Sequence, residues 1–268
     1  MRGPEAGGEG SGVPGGAGLE LRSRYTAADV GVFTPAEASR FVASGDGDPR
    51  HDAVLAWELL YRLEPELYDR LVSAERLHPG IVGWLPVGVH RIAEVGAGSG
   101  RLTMELIERG ESIVAVEPAL PLRRILRRKL AAADHGERVR VEAGFFDELP
   151  LPDDFAGLVV ACSAFTPAPG HGGEAGLAEM ERVCAPGGCV TIIWPNHIDW
   201  LAARGYRYVS FPGPMAVGFG SHREAVELTE IFFPAAAGEV RRRGSAKVPF
   251  EVLGINAPRD LAFKVLAG

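Results

Sequence analysis

The sequence predicts an α/β fold: a doubly wound, mostly parallel sheet behind a helical N-terminal cap. Three observations predict it. From residue 91 onward short apolar runs alternate with helical stretches, the pattern of repeated strand, helix, strand units covered on both faces. A glycine-rich turn at 96–100 joins the first apolar run to a helix, and an acidic residue, Glu117, closes the second run. At 268 residues, 46% hydrophobic and 24% charged, the chain can bury a full core and is bounded to one large or two small domains.

Residues 1–24 hold Gly3, Gly7, Gly8, Gly10, Gly12, Gly15, Gly16 and Gly18 with too few apolar side chains to build a core, so they read as a flexible tail. Residues 25–87 read as a helical cap of three short helices. Pro35-Ala36-Glu37 opens the first, Leu55, Leu59 and Leu63 recur every four residues, and Leu67, Leu71 and Ala74 continue after Pro65, which begins a new helix. Strands are expected at 91–95, 112–116, 139–141, 158–161 and 189–194. Helices are expected at 102–108, over the Arg-rich stretch from Arg123 to Leu130, and at 177–183. Pro186-Gly187-Gly188 is expected to end the last of these helices and turn the chain into the fifth strand. Further on, a Gly/Pro-rich loop at 211–220 precedes a helix at 224–232. Residues 248–253 and 261–265 then read as two strands whose short connection permits an antiparallel pair and no helical crossover.

A net charge of −7 argues against a protein that grips phosphate backbones over a wide surface, so no nucleic-acid partner is expected. Two local basic patches remain. Arg123, Arg124, Arg127, Arg128 and Lys129 alternate with Ile125, Leu126 and Leu130 at helical spacing and read as the wet face of an amphipathic helix; Arg241, Arg242 and Arg243 form the other. Cys162, Cys184 and Cys189 make no CxxC pair, and an odd count fits a reduced cytoplasmic protein; Cys184 and Cys189 read as small buried apolar residues. No metal-ligand spacing occurs, and no apolar run is long enough for a signal sequence or a membrane span.

The informative segment is Glu94-Val95-Gly96-Ala97-Gly98-Ser99-Gly100-Arg101. Glycines at alternate positions between a strand and a helix let the backbone pass close under a ligand, with amides expected to stay exposed. The dinucleotide pattern GxGxxG is the obvious competitor. Here the third glycine comes one residue early, Arg101 occupies the last small position, and Glu94 would repel a pyrophosphate while welcoming a cation. Glu117 at the end of the second strand is placed to accept both hydroxyls of a ribose, whichever nucleoside cofactor is bound.

Four stretches together resemble the class I S-adenosylmethionine-dependent methyltransferases, in particular their small-molecule methyltransferase domain: residues 94–100, Val116-Glu117, the run from Asp147 to Phe155, and the run from Glu181 to Gly188. The resemblance implies a Rossmann-like seven-stranded sheet over 88–268, mostly parallel with one antiparallel strand. It implies S-adenosylmethionine as cofactor and methyl transfer by SN2 displacement to a small-molecule acceptor. It also implies roles: Gly96, Ala97, Gly98 and Gly100 beneath the methionine part, Glu94 at its amino group, Glu117 on the ribose, Phe146 and Asp147 near the adenine, and Ser163 at the end of the fourth strand. The chain departs from the family where Phe145 stands in place of an Asp after Gly144, so that Asp147 arrives two residues late, and where Ala156-Gly157 replaces a common Asp. Of the adjacent Phe145 and Phe146 only one is expected to face the core, and which of them meets adenine stays open.

The acceptor site is expected outside the carboxyl ends of the fourth and fifth strands, with His171 and His197 as the two histidines able to act as a base. The fourth strand ends in Ala161-Cys162-Ser163-Ala164-Phe165 and lacks the Asn/Asp-Pro-Pro-aromatic signature with which similar amino-methyltransferases hold a planar nitrogen. Trp57, Tyr61, Tyr68 and Trp200 would suit an apolar or aromatic acceptor. A noncatalytic cofactor-binding or partner protein, and a nicotinamide-dependent dehydrogenase, remain as alternatives.

Overall fold

A computed structural model describes residues 21, 23–42, 49–168 and 171–268. The expected tail at 1–24 falls outside them except at its end, where Leu21 is fully buried and Arg24 and Tyr25 both reach Glu64. Leu21, Arg24 and Tyr25 are therefore held against the fold. A 3₁₀ turn at Ala27–Val32 leads into α1 (Pro35–Phe41), α2 (Pro49–Leu63), α3 (Pro65–Ala74) and α4 (Pro79–Trp84), which form the cap. Pro35 and Pro65 open their helices as the sequence predicts, and Thr34 and Glu37 exchange hydrogen bonds in a capping box.

The sheet follows: β1 (Val89–Val95), α5 (Thr103–Leu106), β2 (Gly110–Val116), α6 (Leu120–Ala132), β3 (Val139–Glu142), β4 (Ala156–Cys162), α7 (Gly173–Val183), β5 (Cys184–Ile193), α8 (Ile198–Ala202), β6 (Arg207–Ser210), β7 (Ala216–Gly218), α9 (His222–Phe232), α10 (Pro234–Arg243), β8 (Lys247–Pro249), α11 (Phe250–Leu253) and β9 (Asp260–Val265). Seven strands lie in the order β3-β2-β1-β4-β5-β9-β6, and β9 alone runs against its neighbours β5 and β6. This is the doubly wound, mostly parallel sheet with one antiparallel strand that the sequence predicts.

Alternation along the strands sorts the core into two layers. Ile92, Ile113, Ala115, Leu158 and Val160 share a layer with Leu126 and Leu130 of α6 and with cap residues Leu55, Leu59 and Leu71. Ala93, Val95, Val114, Val116, Val159 and Ala161 face Leu177, Met180 and Val183 of α7. Cap and sheet therefore share one apolar core. Ala119, which precedes α6, and Leu122 and Ile125 of α6 also pack against Tyr61 and Tyr68, which seats the cap over the carboxyl ends of β1 and β2.

Four expectations are corrected. The C-terminal strand pair does not form: the segment expected as a strand at 248–253 splits into β8 and the short helix α11, and β8 pairs with β7 in a separate ribbon. Pro249, without an N–H, opens the helical turn, and buried Phe250 and Leu253, three apart, fix its apolar face. The partners of β9 are β5 and β6, and the largely exposed β6 is the seventh strand. Pro186-Gly187-Gly188 lies within β5 as an irregularity, where Cys184 pairs with Ala156 but Cys189 pairs with Leu158. Arg123 is buried against the carbonyls of Glu117 and Pro118 and does not belong to the wet face of its helix. The second basic patch is paired, Arg241 with Glu230, and Arg242 and Arg243 with Glu239.

Candidate functional site

The glycine turn leaves β1 at the switch point of the sheet, between β2 and β4. Gly96, Gly98 and Gly100 all have positive φ, at 73°, 57° and 98°. A side chain at Gly96 would strike Phe146 and Ala164, each 2.9 Å from its Cβ, and one at Gly100 would strike Leu126 of α6. Gly96 thus keeps a cavity open, while Gly100 lets helix and sheet pack closely.

Four of the turn's amides are engaged, contrary to the expectation that they stay exposed. The N–H groups of Gly96 and Ala97 donate to Val116 O, that of Gly100 donates to Ala97 O, and that of Gly98 donates to Glu117 Oε2 at 2.9 Å. A phosphate needs unpaired donors, so this turn is poorly made for a pyrophosphate. Glu117 is buried, and its Oε1 accepts from Ala119 N at 2.8 Å. Burial raises its pKa, opposed by these two amides. Each oxygen retains a further lone pair, and the side chain lines the cavity, so Glu117 offers two fixed acceptors.

The cavity has a volume of about 310 Å³ and runs between the carboxyl ends of the strands and the cap. At one end both Phe145 and Phe146 line it. Phe146 packs edge-on against Phe165, and Phe145 packs against Phe41 of the cap with the Arg40 guanidinium 4.1 Å from its ring centre. Arg40 Nη1 also donates to both oxygens of Asp147, at 2.6 and 2.8 Å. Asp147 is therefore already engaged by a clamp between cap and sheet.

At the other end, Ser163 and Trp194 follow β4 and β5 and both hold positive φ, 58° and 56°, an uncommon conformation for residues with a Cβ. Arg101 donates from Nη1 to Glu75 Oε2 at 3.0 Å and from Nη2 to Cys162 Sγ at 3.5 Å, and lies 5.4 Å from the Trp194 ring centre. Burial alone would lower the Arg101 pKa, but Cys162, Glu75 and Tyr68 hold it above its ordinary value. Burial raises Glu75, with Arg101 opposing.

Along one wall, His171 Nε2 lies 3.9 Å from Glu58 Oε1, while Glu58 Oε2 pairs with Arg62, which also holds Glu37. Burial pushes Glu58 up to about 7 against the attraction of Arg62, and pushes His171 down to about 4.

Of the predicted site residues, Gly96, Glu117, Phe146, Asp147, Ser163 and His171 line this cavity. Glu94 does not: it sits beneath the turn, its Oε2 accepting from Thr103 Oγ1 at 2.6 Å, with burial pushing it up to about 8. Ala97, Gly98 and Gly100 shape the turn from outside the cavity wall. His197 is exposed at the start of α8, so it is no part of the cavity, and Trp200 packs beside Phe165 outside it. Arg40, Glu58, Glu75, Arg101 and Trp194 were missed as site residues. Only Arg101 carried a local signal, as a charged residue set directly after the glycine turn. Cys162, Cys184 and Cys189 are free thiols, and among the described residues no three His, Cys, Asp or Glu side chains gather as metal ligands. Nor is any helix among them long and apolar enough to cross a membrane.

Residues 92–188 match the family model described as a methyltransferase domain. The chain is 32% identical over 133 residues to an uncharacterized methyltransferase of Mycobacterium tuberculosis, covering 47% of this chain and 50% of that one. It is 34% identical over 98 residues to an uncharacterized methyltransferase of Geobacillus thermodenitrificans, covering 37% and 39%. The matched region thus spans half or less of these relatives' length. Among solved structures, a chain from the complex of the Haloferax volcanii Trm112 methyltransferase activator is similar in fold, with a TM-score of 0.50 and 15% identity over 78% of this chain and 96% of that one.

Proposed function

From the premise that residues 92–188 match the model of a methyltransferase domain, we propose that the protein is a class I methyltransferase that binds S-adenosylmethionine in the cavity beneath its cap and methylates a small molecule there. The observation that carries this reading is Glu117: a buried carboxylate on the cavity wall, with both oxygens fixed by backbone amides and each able to accept one ribose hydroxyl. The other residues present fit the same group. The space that a Gly96 side chain would fill admits a ligand beside Phe146, and the pairing of four of the turn's amides disfavours a dinucleotide.

When bound, the cofactor supplies a methyl group on a sulfonium, and transfer breaks the S–C bond to leave a neutral thioether as the bond to the acceptor forms. The protein's part is alignment and exclusion of water. Glu117 would hold the ribose and Phe146 would flank the adenine. Glu94, too deep to line the cavity, would act on the methionine end through the turn and Thr103. Asp147 is committed to Arg40, so its role would be to tie the cap down, in place of the adenine contact implied by resemblance.

The cap and the segment between β6 and β9, which contributes Phe232, Phe233 and Ile255 to the wall, roof the cavity. An acceptor entering it must be small. Transfer of a labelled methyl group from S-adenosylmethionine to fractions of a cell extract tests this reading. The expected result is label in a small-molecule fraction; label only in protein or nucleic acid, or in no fraction, contradicts it.

A further inference from the structure

The cavity wall at the ends of β4 and β5 holds one carboxylate atom that the protein leaves unused. The Glu75 side chain is 8% exposed and lines the cavity. Its Oε2 accepts from Arg101, whereas its Oε1 has no hydrogen-bond partner among the described residues. That oxygen, on a largely buried side chain, is open to the cavity, and a donor on a ligand there would satisfy it. Leu71, Val72, Trp194, Phe232 and Phe233, apolar or aromatic surfaces, line the same cavity.

We infer that Glu75 Oε1 receives the hydroxyl of the methyl acceptor, and that the acceptor is a neutral, flat, apolar molecule of the phenol class. This rests on the methyltransferase reading above and adds the substrate's chemistry to it. Neutrality follows from charge: Arg101 already balances Glu75, so a cationic amine would bring a charge with no counterion in that corner. The aromatic wall favours a flat body. A phenol presents one O–H to the one free oxygen.

In transfer, an electron pair of the acceptor oxygen would form the bond to the methyl carbon as the S–C bond of the sulfonium breaks and its pair returns to sulfur, while the O–H bond breaks and the proton passes to Glu75 Oε1. Glu75 touches the substrate and is the catalytic group. Arg101 is a positioning residue: fixed by Cys162 and set over Trp194, it holds Oε2 so that Oε1 faces the ligand.

The test is calorimetric titration with 2-naphthol and with 2-methoxynaphthalene, the same body without the O–H donor, on the protein alone and on the protein loaded with S-adenosylhomocysteine. The wild-type protein should prefer the naphthol by about tenfold or more, the worth of a hydrogen bond to a charged group. Glu75→Gln should cut that preference to below about threefold, since the charged acceptor is lost, and leave the affinity for S-adenosylhomocysteine unchanged. Arg101→Lys should weaken the preference partly and shift its pH dependence, which a purely structural role would not do. Equal binding of both probes by the wild-type protein, binding of neither, or a preference that survives in Glu75→Gln would each overturn the inference. Failure to bind S-adenosylhomocysteine with the naphthol preference intact would instead overturn the cofactor assignment alone. The wild-type comparison stands even if a variant does not fold.

Discussion

The two ends of the cavity, one proposed for the cofactor and the other for the acceptor, are built in different ways. Its cofactor end is made by consecutive stretches of chain at the edges of neighbouring strands: the turn after β1, Glu117 after β2 and Phe146 after β3. Its acceptor end is assembled from distant parts, with Glu75 after α3, Arg101 after the turn, Trp194 after β5 and Phe232 in α9. The first is fixed by backbone geometry within a few residues, and the second by how the cap and the C-terminal insertion settle on the sheet. Substitutions at the first should strike cofactor binding, whereas those at the second should spare it.

The largest effect that would sharpen this contrast is expected from Glu117→Ala. Losing two fixed acceptors should weaken S-adenosylmethionine binding by about 10- to 100-fold, read by calorimetry, and an affinity within threefold of wild type would remove the ribose assignment. Gly96→Ala comes next. A Cβ placed 2.9 Å from Phe146 and Ala164, at a φ of 73°, should cost about 1–3 kcal/mol of stability in a thermal or denaturant melt. It should also narrow the cofactor end, so an unchanged melt with unchanged binding would break the comparison.

Glu94→Gln should act on pH dependence. Burial raises Glu94 from 4.5 to about 8, so its proton is held more tightly in the folded protein. Its contribution to stability is complete below pH 4.5 and is lost as pH rises through about 8. Glu58, raised to about 7, acts in the same direction. His171, lowered from 6.5 to about 4, acts oppositely: its contribution is present above pH 6.5 and lost as pH falls through 4. Between pH 6.5 and 8, the wild-type melting temperature should therefore fall more steeply than that of Glu94→Gln, and parallel curves would contradict the burial account. The smallest effect is expected from Asp147→Asn. With the carboxylate spent on Arg40 and about a third exposed, cofactor affinity should change by less than about threefold. A tenfold loss would restore Asp147 to the adenine.

What was legible in the sequence follows the same division. Glycine spacing, the acid after β2 and the apolar alternation are local patterns, and they led to the parallel sheet and Glu117, whereas the sheet's one antiparallel strand came from the family resemblance. The seventh strand was not legible, because Arg207–Ser210 alternates weakly and is largely exposed, whereas Val248 to Leu253 is more apolar than many strands although it ends in a helical turn after Pro249. Arg123 shows a limit of helical periodicity: its spacing put it with the solvated cations, but its guanidinium turns back to the carbonyls that precede the helix. Glu75 and Trp194 gave no sign, because their meaning arises only when the ends of α3 and β5 meet across the cavity.

The central claim is that the glycine turn and Glu117 hold S-adenosylmethionine and not a dinucleotide. Calorimetric titration of the wild-type protein with S-adenosylmethionine and, separately, with NAD tests it most directly. Saturable binding of S-adenosylmethionine with no heat from NAD is the predicted result. Binding of NAD, or no binding of S-adenosylmethionine at millimolar concentration, would contradict it.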